Sequence, residues 1–286
     1  MPERIDAHHH LWTYRKEDYA WISNEMGVLA RDFLLSDLEE AMAAVGVDGT
    51  VTVQASHTLQ ETEWLLSLAK KSERIRGVVG WAPIASAEFP AILEKWRSGE
   101  KLKGLRHVIQ DEPDEKFMYD EDFNRGISSL AGSALVYDIL IYERHLPAAI
   151  AFVDRHPNQV FVLDHIAKPR IREAIRDPWA ANLRELARRD NVYCKLSGMV
   201  TEADWKKWII SDLRPYFDVV LHAFGPARLM AGSDWPVCLL ASTYAQWFNT
   251  LREFLLPLST SEKDLILGGV ATKVYSLEKP HHAATT

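Results

Sequence analysis

The stretch "IDAHHHLW" at residues 5–12 is a short run that starts apolar and closes in three consecutive histidines. A buried strand is a costly place for ionisable rings unless they have partners or a task. The same form recurs along the chain. Short Val-, Ile- and Leu-rich runs predict strands over 4–10, 50–55, 76–81, 103–107, 136–142, 160–165, 192–196 and 228–234. Amphipathic stretches between them predict helices, among them 88–96, 121–130, 146–156, 177–189, 215–224 and 244–255. Ser36 with Glu39 and Thr58 with Glu61 read as capping boxes at two further helix starts. Strands apolar on both faces, each followed by a helix, suit a parallel sheet covered by helices. Eight such units close most naturally into a (β/α)₈ barrel.

Nothing in the composition splits this pattern into parts, so 1–286 reads as a single domain with a frayed tail over about 279–286, where His281 and His282 are solvated ends. Hydrophobic residues at 47% and charged residues at 26% fit a soluble globular chain, and no apolar run is long enough to span a bilayer. The net charge of -7 provides no basic footprint for a nucleic acid, which leaves small molecules as the expected partners. Cys194 and Cys238 are too few for a disulfide framework and fit a reducing, cytoplasmic setting. The number of subunits is left open, a homo-oligomer included.

In a barrel of this kind chemistry sits at the C-terminal ends of the strands. Here those ends carry His8, His9 and His10, then Gln54, Trp81, Arg106 with His107, Tyr142 with Glu143, Asp164 with His165, Lys195 with Ser197, and Ser233 with Asp234. A period of two puts Asp6, His8 and His10 on one face and His9 on the other. Polar groups gathered at one end of so many strands point to a site built from His8, His10, His165 and Asp234. The long segment from Leu11 to Ser36 follows the first strand and carries Trp12, Arg15 and Trp21, which suits a loop that shapes a site.

His8-x-His10, "VFVLDHIAKP" at 160–169 and "LMAGSDWP" at 229–236 resemble the amidohydrolase superfamily. "LKGLRHVIQDE" at 102–112 and "CKLSGMVTEADW" at 194–205 are similar to its branch that hydrolyses sugar lactones such as L-fuconolactone and L-rhamnonolactone. The resemblance implies a barrel hydrolase acting on a cyclic ester. Two-metal members carry a bridging lysine or glutamate on the fourth strand and a histidine at the end of the fifth. This chain has Arg106 and His107 on the fourth and Tyr142 on the fifth, with His145 beyond, so a two-metal site is not expected.

The expected chemistry has Asp234 as general base toward water and His8, His10 and His165 as donors to the carbonyl oxygen. Arg106, His107, Gln54, Tyr142, Lys168, Trp12, Trp21 and Arg15 are the expected substrate contacts. No cofactor is expected to be required; the alternative is one Zn2+ held by His8, His10, His165 and Asp234. Two other readings predict different behaviour. A single-zinc decarboxylase or hydratase would hold its metal tightly, and a non-catalytic sugar-binding barrel would leave Asp234 and His165 without a task.

Overall fold

Val51, Val53, Val79, Val136, Val162 and Met230 meet Ile5 and Ala7 in one interior cluster, an arrangement that requires the sheet to roll on itself. The computed structural model describes residues 2–96 and 99–277. Its strands are β1 (Ile5–His9), β2 (Gly49–Val53), β3 (Ile75–Gly80), β4 (Leu102–Val108), β5 (Val136–Leu140), β6 (Phe161–Leu163), β7 (Val192–Leu196) and β8 (Leu229–Ala231). They are parallel and lie in chain order. Closure between the last strand and the first falls to residues at the C-terminal ends of the strands. The His10 N–H donates to the Trp235 carbonyl at 2.6 Å, and the Asp234 N–H donates to the His8 carbonyl at 2.8 Å.

Alternate residues such as Leu105, Tyr137, Ile139, Phe161 and Leu163 face outward into the layer shared with the helices. Those helices are α1 (Leu35–Ala43), α2 (Leu59–Lys71), α3 (Phe89–Trp96), α4 (Glu121–Leu130), α5 (Leu146–Arg155), α6 (Trp179–Leu186), α7 (Ile210–Phe224) and α8 (Tyr244–Phe254). The eight predicted strand-helix units are therefore present, with differences at the helix starts. At α1 the predicted Ser36–Glu39 box does not form, because Ser36 lies inside the helix and Asp37 accepts the Leu34 N–H at 2.9 Å. At α2 Thr58 caps the Glu61 N–H at 3.1 Å, but the Glu61 carboxylate turns to the N–H groups of Ala55 and Ser56 instead of closing the box. Helix α7 starts ahead of Pro215, where the sequence suggested it began.

After α8 the chain forms α9 (Thr260–Asp264), a π turn over Leu265–Gly269 and α10 (Val270–Val274), none of which was predicted. This segment closes the bottom of the barrel. Tyr275 reaches the interior cluster, and Gly268 comes so near β1 that an added Cβ would stand 2.0 Å from the Glu3 carbonyl oxygen. The tail expected to fray, His281 and His282 included, lies outside the described residues. Among the described residues no helix is long and apolar enough to cross a membrane.

Candidate active site

Strict alternation along β1 fails where the site begins. The register against β2 shifts between Asp6 and His9, so Ala7 and His8 both face the barrel interior while Asp6 and His9 face outward. His9 packs behind the sheet, its Nε2 within 3.0 Å of Thr50 Oγ1 and 2.8 Å of Thr52 Oγ1. Asp6 does not join the site either. Its Oδ1 accepts from Ser233 N at 2.8 Å and His8 N at 3.1 Å, and its Oδ2 accepts from Ser233 Oγ at 2.6 Å and the Tyr244 hydroxyl at 3.0 Å. It braces the turn that carries Asp234.

The four expected catalytic groups meet at one point. Asp234 Oδ1 lies 3.4 Å from His10 Nε2, 3.7 Å from His165 Nε2 and 3.8 Å from His8 Nε2. Two of these residues sit on backbone that side chains rarely adopt. Asp234 has φ of 57°, and the run His165, Ile166, Ala167 and Lys168 has φ of 51°, 51°, 61° and 46°. Each left-handed non-glycine residue costs roughly 1–2 kcal/mol, so surrounding contacts must hold these turns. For Asp234 they are the Asp6 and Ser233 hydrogen bonds. For His165 they include Ser197 Oγ, 2.8 Å from Nδ1, and Gly198 (φ 68°), whose missing Cβ would stand 2.7 Å from the His165 ring.

Beneath the four lies a buried charge cluster. Arg106 Nη1 donates to Asp164 Oδ2 at 2.9 Å and lies 3.4 Å from His8 Nε2, while Nη2 donates to the Gln54 carbonyl. Lys195 Nζ is 2.5 Å from Asp138 Oδ2, 3.0 Å from Asp164 Oδ1 and 3.1 Å from His8 Nδ1. Tyr275 donates to Asp138 from below at 2.8 Å. Burial raises a carboxyl pKa, but at Asp164 the charge of Lys195, the His8 ring hydrogen-bonded to it and the charge of Arg106 outweigh it and hold the group well below the usual range. At Asp234 burial is likewise outweighed, by His165, His10 and Lys168, and the carboxyl stays ionised at neutral pH. Burial drives His8 well below its ordinary value and His165 to about 4.

The donor set is suited to a divalent cation. The His10 Nδ1–H is committed to the Val53 carbonyl at 2.9 Å, so its Nε2 lone pair faces both His8 Nε2 at 3.2 Å and the Asp234 carboxylate. Such a convergence of electron-rich atoms calls for a proton or a cation between them. Donors bound tetrahedrally to zinc stand roughly 3.3 Å apart at the usual Zn–N bond length, close to the 3.2–3.8 Å spacing among His8, His10 and Asp234, whereas His165 groups with His8 and Asp164. His8 Nδ1 can accept from Lys195, or donate to Asp164 Oδ1 at 3.3 Å and free its Nε2 as a ligand.

A cavity of about 360 Å³ opens above the cluster, lined in part by His10, Arg106, His165, Lys168, Asp234 and Trp21. The other expected contacts lie elsewhere. Trp12 is fully buried against Tyr19 and Phe33 because its indole N–H is taken by the Arg31 carbonyl. Arg15 is solvent-exposed and paired with Asp18, and it is Asp18 that lines the cavity. Gln54 is buried below Arg106 and donates to its carbonyl at 3.3 Å. His107 alternates away from Arg106 and stacks between His57 and Phe117. Tyr142 lines a neighbouring cleft that shares Lys168. His57, Ser56, Gln110 and Asp111 line the cavity without having been singled out. They follow the strand ends, where hydrophobic periodicity carries no signal.

The family model for amidohydrolases matches residues 5–277. The chain is 45% identical over 291 residues to an L-fucono-1,5-lactonase of Burkholderia multivorans, covering 98% of each chain. It is 35% identical over 287 residues to an L-fucono-1,5-lactonase of Burkholderia ambifaria, again covering 98% of each. A crystal structure of a Burkholderia multivorans amidohydrolase with bound zinc superposes with a TM-score of 0.94 at 43% identity, covering 96% of this chain and 100% of that one. The chain belongs to the amidohydrolase family.

Proposed function

We propose that the chain is a hydrolase that opens a sugar-derived lactone, of the L-fucono- or L-rhamnono-lactone class, to the aldonic acid. The observation that carries this reading is the meeting of Asp234 Oδ1 with three histidine Nε2 atoms within 3.4–3.8 Å at the floor of the cavity. It is supported by 45% identity to an L-fucono-1,5-lactonase.

In this mechanism Asp234 takes a proton from the water that attacks the lactone carbonyl carbon. Negative charge then develops on the carbonyl oxygen, where the Nε2–H of His165 donates to it, while the buried His8 Nε2–H lies behind and donates to His10 Nε2, whose lone pair leaves His10 no proton for the substrate. Ser197 keeps the His165 Nε2 proton in place by donating to Nδ1, and Lys195 does the same for His8. When the tetrahedral intermediate collapses, the bond to the ring oxygen breaks and Asp234 returns its proton to that oxygen. Arg106 and Lys168 favour charge on the substrate, and Trp21 offers an apolar face to the sugar ring.

His8, His10, His165 and Asp234 are the residues that would hold a divalent ion, and such an ion supplies Lewis-acid polarisation of the carbonyl. Arg106 and Lys195 already bring fixed positive charge within 3.4 and 3.1 Å of His8, which supports turnover without a required metal. One experiment tests both parts of the reading. Aldonolactone hydrolysis is followed with a pH indicator for wild type and Asp234→Asn, each before and after prolonged chelation. The variant should lose at least about 100-fold in kcat, and the wild type should keep its activity after chelation. Near-normal turnover by Asp234→Asn overturns the general-base assignment, and activity lost to the chelator and restored by zinc overturns metal independence.

A further inference from the structure

His57 lies in the loop between β2 and α2, lines the cavity and keeps part of its ring exposed there. Its surroundings fix both its plane and its tautomer. The ring is stacked on Trp81, with centroids 5.7 Å apart and planes 13° from parallel, and on His107 at 4.6 Å and 24°. The Val108 N–H donates to His57 Nε2 at 3.2 Å, so in the neutral imidazole the proton sits on Nδ1. Burial, with the nearby His107 and Arg106, lowers the His57 pKa to about 4 and keeps the ring neutral near pH 7. Among the described residues no protein acceptor takes the Nδ1 proton. The stack is itself anchored, because the Trp81 indole N–H donates to His107 Nδ1 at 3.3 Å and His107 Nε2 donates to Glu112 Oε1 at 2.5 Å. His107 therefore serves the site by holding His57.

We propose that His57 Nδ1–H is a fixed donor to an oxygen on the polyol edge of the substrate, holding that edge on the β2–β4 side of the cavity while the carbonyl lies against His165 and Asp234. The inference rests on the lactone reading above and deepens it. A ring that can donate but not accept at this position recognises a hydroxyl through its oxygen lone pair, and the hydroxyl proton is left to acceptors nearby. Asp18, Ser56 and Gln110 line the same cavity, and Gln110 Oε1 lacks a hydrogen bond among the described residues.

The test uses two polar substitutions that divide the functions of the ring. His57→Asn can place an amide N–H near the position of Nδ1. His57→Gln reaches instead toward the position of Nε2, where it can accept from Val108 but offers no donor at the Nδ1 position. Calorimetric binding of L-fucono-1,5-lactam, a cyclic analogue that resists hydrolysis, is compared across wild type and both variants, with kcat/KM on L-fucono-1,5-lactone as a second readout. The Asn variant should bind the lactam within about twofold of wild type, and the Gln variant about fivefold more weakly, the size of one neutral hydrogen bond. Equal binding by both variants, the reverse order, or no binding to wild type overturns the proposal. If the binding order appears in a wild-type protein that does not hydrolyse the lactone, the hydrolase reading fails while the His57 contact stands.

Discussion

Asp6→Asn separates positioning of Asp234 from the chemistry proposed for it. In the wild type Oδ1 of Asp6 takes the N–H groups of Ser233 and His8, and Oδ2 takes the hydroxyls of Ser233 and Tyr244. An asparagine with its oxygen toward the two backbone N–H groups keeps those bonds but turns an amide NH₂ toward both hydroxyls. Hydrogen bonds to a charged group contribute about 1.5–3 kcal/mol each and neutral ones about 1 kcal/mol, so rearranging two of them costs roughly 1–3 kcal/mol. Asp6→Ala would strand the two backbone N–H groups and the Tyr244 hydroxyl, with only Ser233 Oγ keeping an acceptor in the His8 carbonyl at 3.1 Å, and would threaten folding outright, which makes the isosteric change the informative one. Ser233 Oγ also accepts the Trp235 N–H at 2.9 Å, so both neighbours of Asp234 shift when Ser233 reorients. A displacement near 1 Å at a reacting group can cost about 100-fold in rate; we expect kcat to fall at least tenfold while KM changes less than about threefold. Urea unfolding measures the first quantity and steady-state lactone hydrolysis the second. Wild-type kcat in a destabilised Asp6→Asn protein would refute the positioning role, and an unchanged unfolding midpoint would refute the hydrogen-bond accounting.

Gly198→Ala should destabilise the fold by about 2–4 kcal/mol, combining a left-handed penalty with overpacking against a ring that cannot move aside. It should also lower kcat by displacing His165, and a variant with native stability would contradict the close approach. Glu61 provides a pH test, because burial, only partly offset by the N–H groups of Ser56 and Ala55, raises its pKa from the ordinary 4.5 to about 7. The folded protein then holds a proton that the unfolded chain has released, so stability falls as pH rises through that window, by about 3 kcal/mol at this site. Glu61→Gln should flatten the decline seen in denaturation midpoints between pH 4.5 and 7, and an identical slope in both proteins would remove Glu61 as its source.

The barrel was legible because its signals are local. Val51, Val53, Val79 and Val162 mark strands, and the polar residues that end those strands stand where a parallel barrel collects them. The meeting of His8, His10, His165 and Asp234 followed from that placement alone. Asp6 was misassigned because the bulge in β1 leaves no mark in a run of histidines, and alternation is the only guide a sequence offers there. The left-handed turn at 165–168 was equally hidden, since Ile166 and Ala167 are residues that resist that backbone and tertiary contacts impose it. Lys195 and Asp138 are 57 residues apart and pair only through the barrel interior, and the role proposed for His57 depends on stacking partners just after β3 and on β4.

The charge content of the barrel floor favours the proposed use of one carboxylate, Asp234, as both base and acid. Arg106 and Lys195 are two cations buried among three carboxylates, Asp138, Asp164 and Asp234, and the histidines beside them are neutral where burial dominates. With all five groups ionised the cluster carries one excess negative charge, located at Asp234, the carboxylate that borders the cavity. Creating a new charge in so dry a place would be costly. In the proposed reaction none is created. As Asp234 accepts the proton of water, its charge passes to the substrate oxygen, a few ångströms away and still facing His165. The groups that stabilise the charge before the step stabilise it after, with little reorganisation. Neutralising Arg106 would break this balance by leaving Asp164 without its guanidinium partner, so in the proposed reaction the two buried cations matter as much as the residues proposed to touch the substrate.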